Sequence, residues 1–155
     1  MNYSCEKPGP RIAEADVVRF EKTIGYALPS DYRLFLLSCN GGVPNEAACV
    51  VPFVHPVRKQ ADENTCLVRW FSLGTDDGLE VAFRHLGKIV PPGLIGIGVE
   101  TSGDPIILSC RSVDAGAVFL LDADRHLDGS TPDITLARSF ESFYAGLRPY
   151  SEFDA

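Results

Sequence analysis

Apolar residues recur at helical spacing near both ends of the chain and at strand spacing between them. Val17, Phe20 and Ile24 fall at i, i+3 and i+7, which predicts one buried helix face over 16–24. Gly25 ends that helix, because glycine takes the left-handed position after a helix without a Cβ penalty. Leu28-Pro29 opens a second helix, with proline where a missing N–H costs least. Ser30 and Asp31 favour its positive end, Tyr32, Phe35, Leu36 and Cys39 form its apolar stripe, and Asn40-Gly41-Gly42 stops it. Two short helices with a tight turn between them predict an αα-hairpin.

The middle of the chain changes period. Val50-Val51-Pro52-Phe53-Val54 predicts an edge strand, since proline cannot donate to a central ladder. Residues 67–73 predict another strand, the Gly74–Gly78 cluster a turn, and Leu79, Ala82, Phe83 and Leu86 a short helix closed by Gly87. The almost wholly apolar run 94–99 predicts a central strand covered on both faces. Strands over 105–109, 117–121 and 134–137 follow, with a polar loop over 122–132. Ser139 caps a closing helix whose Phe140, Phe143, Tyr144 and Leu147 share one face. Helices first, strands later and a final helix predict an α+β fold. It is a largely antiparallel or mixed sheet wrapped by an N-terminal helical hairpin and a C-terminal helix. The 155 residues read as a single domain, with 1–11 as a loose leader and 149–155 as a tail.

Charge adds an asymmetry. The chain carries 14 Lys+Arg against 21 Asp+Glu, a formal net charge of −7. Residues 1–99 hold 11 acids and 10 bases, whereas 100–155 hold 10 acids and 4 bases. This excess argues against a nucleic-acid or anionic-membrane partner and fits a basic protein partner. No run reaches the ~20 apolar residues of a membrane helix, and no basic segment followed by an apolar run marks the N-terminus as a secretory signal. The expected address is cytoplasmic, with Cys5, Cys39, Cys49, Cys66 and Cys110 as reduced thiols.

Candidate chemistry is sparse. The five cysteines form no C-x-x-C pair, and His55, His85 and His126 are scattered without metal-ligand spacing. Asp122, Asp124 and Asp128-Gly129 imitate a calcium loop, but His126 and Leu127 occupy positions that need a ligand and a glycine. Gly93, Gly96 and Gly98 lie inside an apolar strand rather than at a strand-to-helix turn, so they do not form a phosphate loop. No cofactor, metal site or catalytic motif is expected.

One stretch is more specific. Phe20-Glu21, Ile24-Gly25, Leu28-Pro29, Asp31-Tyr32-Arg33, Phe35-Leu36-Leu37 and Asn40-Gly41-Gly42 together resemble the signature of the SMI1/KNR4 family, the core of the SUKH superfamily. Weaker similarity continues through Trp70-Phe71-Ser72-Leu73, Pro92, Leu94-Ile95, Ile97-Gly98 and Ser102-Gly103-Asp104. It runs on through Ile106, Leu108-Ser109, Gly116, Val118-Phe119 and Ser139-Phe140 to Phe143, so that it spans about residues 13 to 148. The resemblance implies an α+β fold in which helices wrap a mixed or antiparallel sheet, and it marks no catalytic residue. Many bacterial members look like immunity proteins that bind and neutralise polymorphic toxins, often nucleases. Fungal members are linked to cell-wall and signalling regulation as interaction hubs. The stretches 43–65 and 122–132 depart from the pattern and are candidate places for partner choice.

The leading expectation is therefore a non-enzymatic binding module, an immunity protein for a basic toxin domain. Its acidic face would be built from Glu100, Asp104, Asp122, Asp124, Asp128 and Asp133. The alternative is a regulatory or scaffolding protein without a toxin partner, using an aromatic patch at Trp70 or Tyr150. A third reading is an enzyme built on a Cys–His pair.

Overall fold

The computed structural model describes residues 1–59, 63–126 and 128–153. Leu127 of the predicted loop and Asp154 and Ala155 of the predicted tail lie outside them. Helix α1 (Glu14–Ile24) starts where Asp16 accepts the Ala13 N–H (2.8 Å) and ends at Gly25, which is left-handed at φ 82. Helix α2 (Ser30–Cys39) follows Pro29 and buries Tyr32, Phe35, Leu36 and Cys39, the predicted stripe. The residue after it, Asn40, turns the chain at φ 46.

Gly41 and Gly42 complete that turn for a steric reason. A Cβ on Gly42 would lie 2.0 Å from the Lys7 carbonyl oxygen and one on Gly41 2.5 Å from that of Phe71, with both backbones at positive φ. The family-like Asn-Gly-Gly run is thus where three chain segments crowd together.

The strands are β1 (Lys7–Pro8), β2 (Gly42–Val43), β3 (Val50–Phe53), β4 (Glu63–Trp70), β5 (Leu94–Glu100), β6 (Pro105–Ser109), β7 (Val118–Leu120) and β8 (Ile134–Ala137). Among the described residues they form one antiparallel sheet in the order β1-β2-β4-β5-β6-β7-β8, with β3 paired to β4. The remaining helices are α3 (Leu79–Leu86) and α4 (Phe140–Ala145). Ser139 caps α4 through the Ser142 N–H (3.0 Å), as its position predicts. Asp31, at the start of α2, accepts the Glu141 N–H (3.0 Å) and so ties the two helix starts together.

Strand β5 is covered on both faces, as its apolar run requires. Ile95 and Ile97 enter the main core with the helical hairpin and α4, while Leu94 packs with Val90, Ile107, Phe119 and Leu121 on the other side. Glycine at position 96 lets α3 approach the sheet, because a Cβ there would meet Leu86 Cδ1 at 2.4 Å. The glycine-rich strand is a packing surface.

Two expectations change. The leader 1–11 is fastened to the body: Lys7 and Pro8 pair with Val43 and Gly42, and Tyr3 is buried against Phe35, Phe140 and Tyr144. Its charged and proline-rich sequence hides one aromatic anchor and one short ladder. The strand predicted over 67–73 begins earlier, at Glu63, and ends at Trp70, because β3 supplies ladder partners for the polar positions 63–65. In the tail, a 3-10 turn at Tyr150–Glu152 is held by the Tyr150 N–H to the Glu46 carbonyl (2.7 Å). No helix among the described residues is long and apolar enough to cross a membrane.

Candidate protein-binding site

An antiparallel sheet returns alternate connections to the same end, and here that end is acidic. The end of β3, the start of β4, the β5–β6 hairpin and the β7–β8 loop meet around an open cleft of about 450 Å³. Phe53, Leu120, Ile134 and Phe153 contribute its apolar lining. Five carboxylates line it, from Glu63, Glu100, Asp104, Asp122 and Asp124, against the single guanidinium of Arg58 and the imidazole of His55.

Glu100 ends β5 and closes the hairpin turn. One of its carboxylate oxygens accepts the Asp104 N–H (2.8 Å) and the other accepts the Thr65 hydroxyl, and the residue is 4% exposed. Asp104 in turn accepts the Ala123 N–H (3.3 Å), joining the two acidic loops. Burial raises the Asp104 carboxyl above its usual value, the Ala123 hydrogen bond opposes this, and the charges of Glu100, Asp122 and Asp124 raise it further. Burial is the larger cause, and the neighbouring carboxylates add to it.

Asp122 behaves differently. Burial would raise its carboxyl too, but hydrogen bonds from Arg125 (2.8 Å) and His55 (3.2 Å) override this and leave it below the usual value. The His55 ring is fully used: Nδ1 accepts the Val57 and Arg58 N–H groups (3.2 and 3.3 Å), so the proton sits on Nε2, facing Asp122. His55 thereby pins the 54–59 loop to the β7–β8 loop. Arg125 also holds Asp133 (2.8 and 3.0 Å), and Arg58 holds Glu63 (2.9 Å). Among the described residues, Glu100, Asp104 and Asp124 are the cleft carboxylates with no ion-pair partner.

The sequence-derived set therefore divides. Glu100, Asp104, Asp122 and Asp124 come together in the cleft, although Glu100 is buried there and offers almost no surface. Asp133 stands beside them, tied to Arg125. Asp128 is exposed and accepts the Ser130 N–H (3.0 Å) and hydroxyl (2.6 Å) as a local turn brace. Trp70 is a correction. It is 1% exposed and packs against Phe35, Phe140 and Phe143, so it has no surface to offer a partner. Its β-rich neighbourhood leaves the buried and exposed faces indistinguishable until the strand pairs. Tyr150, by contrast, is exposed.

Sequence reasoning missed Glu63, His55, Arg58 and Phe153. The first three lie in the 43–65 stretch already marked for partner choice, but the β3–β4 register that sets Phe53 opposite Glu63 is concealed by its loose proline-bearing sequence. Of the histidines, His55 faces Asp122, and His126 Nδ1 lies 3.6 Å from Asp133.

Comparison with family models decides the ancestry. The model of the SMI1 / KNR4 family (SUKH-1) matches residues 11–146. The chain belongs to the SMI1/KNR4 family. Comparison with curated proteins gives no match. In SMI1/KNR4 terms, the segment matched runs from just before α1 through α4, so it contains the helical hairpin and nearly all of the sheet. The acidic cleft is built on that scaffold by the ends of its strands, and the last lining residue, Phe153, falls beyond the match.

Proposed function

We propose that this SMI1/KNR4 protein is a non-enzymatic immunity protein that binds and neutralises a polymorphic toxin with a basic, nuclease-like active cleft. The observation that carries the reading is the trio Glu100, Asp104 and Asp124, three carboxylates at one cleft without a cation partner among the described residues. Such a site attracts lysine and arginine side chains and raises encounter rates with a basic surface. Family membership supports an immunity-type role without naming the toxin. Val54 and Val57, both strongly exposed on the loop that carries His55 and Arg58, add apolar contact beside the charge. An acidic rim with a few apolar anchors is a workable division between steering and holding.

The test is co-expression with the C-terminal domain of a large secreted toxin encoded beside this gene. A stable complex and restored growth are expected, and association should slow as salt shortens the Debye length from ~10 Å to ~3 Å. Failure of both binding and rescue overturns the reading. A complex whose association rate ignores salt keeps the immunity role and removes the acidic cleft from it.

A further inference from the structure

The N-terminal segment carries a second site, remote in sequence from the acidic cleft. Cys5 Sγ and Cys39 Sγ lie 3.2 Å apart, although the residues are 34 positions apart in the chain. All five cysteines are free thiols. Cys5 is half-buried and the other four are buried, so Cys5 is the thiol a small molecule reaches first.

The pair is held in place from both sides. Before Cys5, Ser4 is fixed by the Tyr144 hydroxyl, which accepts its N–H (3.1 Å) and donates to its carbonyl (3.0 Å), and by Asn45 Nδ2 (3.2 Å to that carbonyl). After it, Lys7 and Pro8 pair with β2. Cys39 is the last residue of α2, and Asn40 beside it is anchored by side-chain hydrogen bonds to Pro10 and Leu73. The two sulfurs therefore meet because the surrounding backbone is fixed.

We propose that Cys5 and Cys39 form an oxidisable dithiol, a reversible disulfide site closed by a low-molecular-weight disulfide of the glutathione class. Closing the gap to a bond of ~2.05 Å needs about 1 Å of movement, within reach of side-chain rotation.

The exchange balances. The Cys5 thiolate attacks one sulfur of the small disulfide and forms a mixed disulfide, and the expelled thiolate takes up the proton Cys5 lost. The Cys39 thiolate then attacks the Cys5 sulfur and expels the second small thiolate, which takes up the proton of Cys39. Two protein thiols lose two electrons and two protons, and one small disulfide becomes two thiols. The product staples the first residues of the chain to the end of α2. In a reducing compartment the dithiol stays open, and a shift toward oxidised glutathione closes it.

The other thiols are placed differently. Cys49 and Cys66 also meet through a thiol–thiol hydrogen bond beside the β3–β4 ladder, but both are buried, so neither is presented to a small disulfide. Cys110 is buried alone near the end of β6.

The experiment incubates the native full chain with oxidised glutathione, quenches it in acid, then denatures and alkylates it. Three alkylatable cysteines are expected in place of the original five. A peptide map should link Cys5 to Cys39, and the unfolding midpoint should rise by roughly 5–10 °C and fall again with dithiothreitol. Cys110→Ser should still lose two thiols, whereas Cys5→Ser should lose none. Five remaining thiols, a Cys49–Cys66 link, or a glutathione adduct that stays on Cys5 without closing would each overturn the proposal.

Discussion

Asn40 and Leu73, 33 residues apart in the chain, exchange two hydrogen bonds: the Leu73 N–H donates to Oδ1 (2.9 Å) and Nδ2 donates to the Leu73 carbonyl (3.0 Å). The second Nδ2 hydrogen goes to the Pro10 carbonyl (2.7 Å), and the residue is 1% exposed. One amide thereby clips the end of α2 to the N-terminal segment and to the chain leaving β4. Asn40→Ala removes all three bonds and leaves a buried N–H unpaired, which should cost about 2–4 kcal/mol. Thermal unfolding should show a midpoint lower by roughly 5–12 °C. A loss within experimental error would show that the clip is dispensable.

Trp70 gives the opposite kind of expectation from the one its sequence position suggests. Trp70→Ala empties a core site among Phe35, Phe140 and Phe143 and should destabilise the fold by about 3–5 kcal/mol. Partner affinity per folded molecule should be unchanged, measured at a temperature where both proteins are folded. A specific loss of affinity in a stably folded Trp70→Phe protein would return this residue to the interface.

Asp104 should show a conflict between stability and binding. Its folded-state value is raised, so the stability it permits is complete below the unfolded value near 3.8 and is lost as pH rises through the folded value. Asp104→Asn keeps an acceptor for the Ala123 N–H while removing the charge. At neutral pH it should stabilise the protein by up to about 0.5 kcal/mol, the solvent-screened remainder of the effect. The same change should slow association with a basic toxin several-fold at low salt. Denaturant melts and stopped-flow association, run on the same two proteins, separate the two effects.

The Arg125 network should show the reverse pH behaviour. Asp122 and Asp133 are both held below the usual carboxylate value, Asp133 chiefly by its Arg125 hydrogen bond. Their contribution is present above the unfolded value near 3.8 and disappears as pH falls through the lower folded values. Arg125→Met should cost roughly 1 kcal/mol at neutral pH. The gap between variant and native protein should shrink below about pH 4, traced by urea unfolding across the acid range.

Where local chemistry sets the structure, the sequence was sufficient. Gly25, Pro29, the Asn40-Gly41-Gly42 turn and Ser139 mark helix ends through backbone conformation and nearby hydrogen bonds, so α1, α2 and α4 stand where their patterns put them. The uninterrupted apolar run of β5 announced a strand covered on both faces, because such a run has no face fit for water. The family signature was legible for the same reason, since it is made of turns.

What the sequence could not supply was the pairing of distant segments. It located an acidic C-terminal third, but antiparallel strand order decided that Glu100, Asp104, Asp122 and Asp124 share one cleft and that Glu63 and His55 join them. It also could not tell that Arg125 pairs with Asp122 and Asp133 rather than with Asp124, or that Tyr3 fastens a polar leader to the core. Charge and periodicity are properties of single residues and short windows. Burial, ion pairing and the meeting of Cys5 with Cys39 depend on which segments the register and the helix crossings bring into contact, and only the folded chain contains that information.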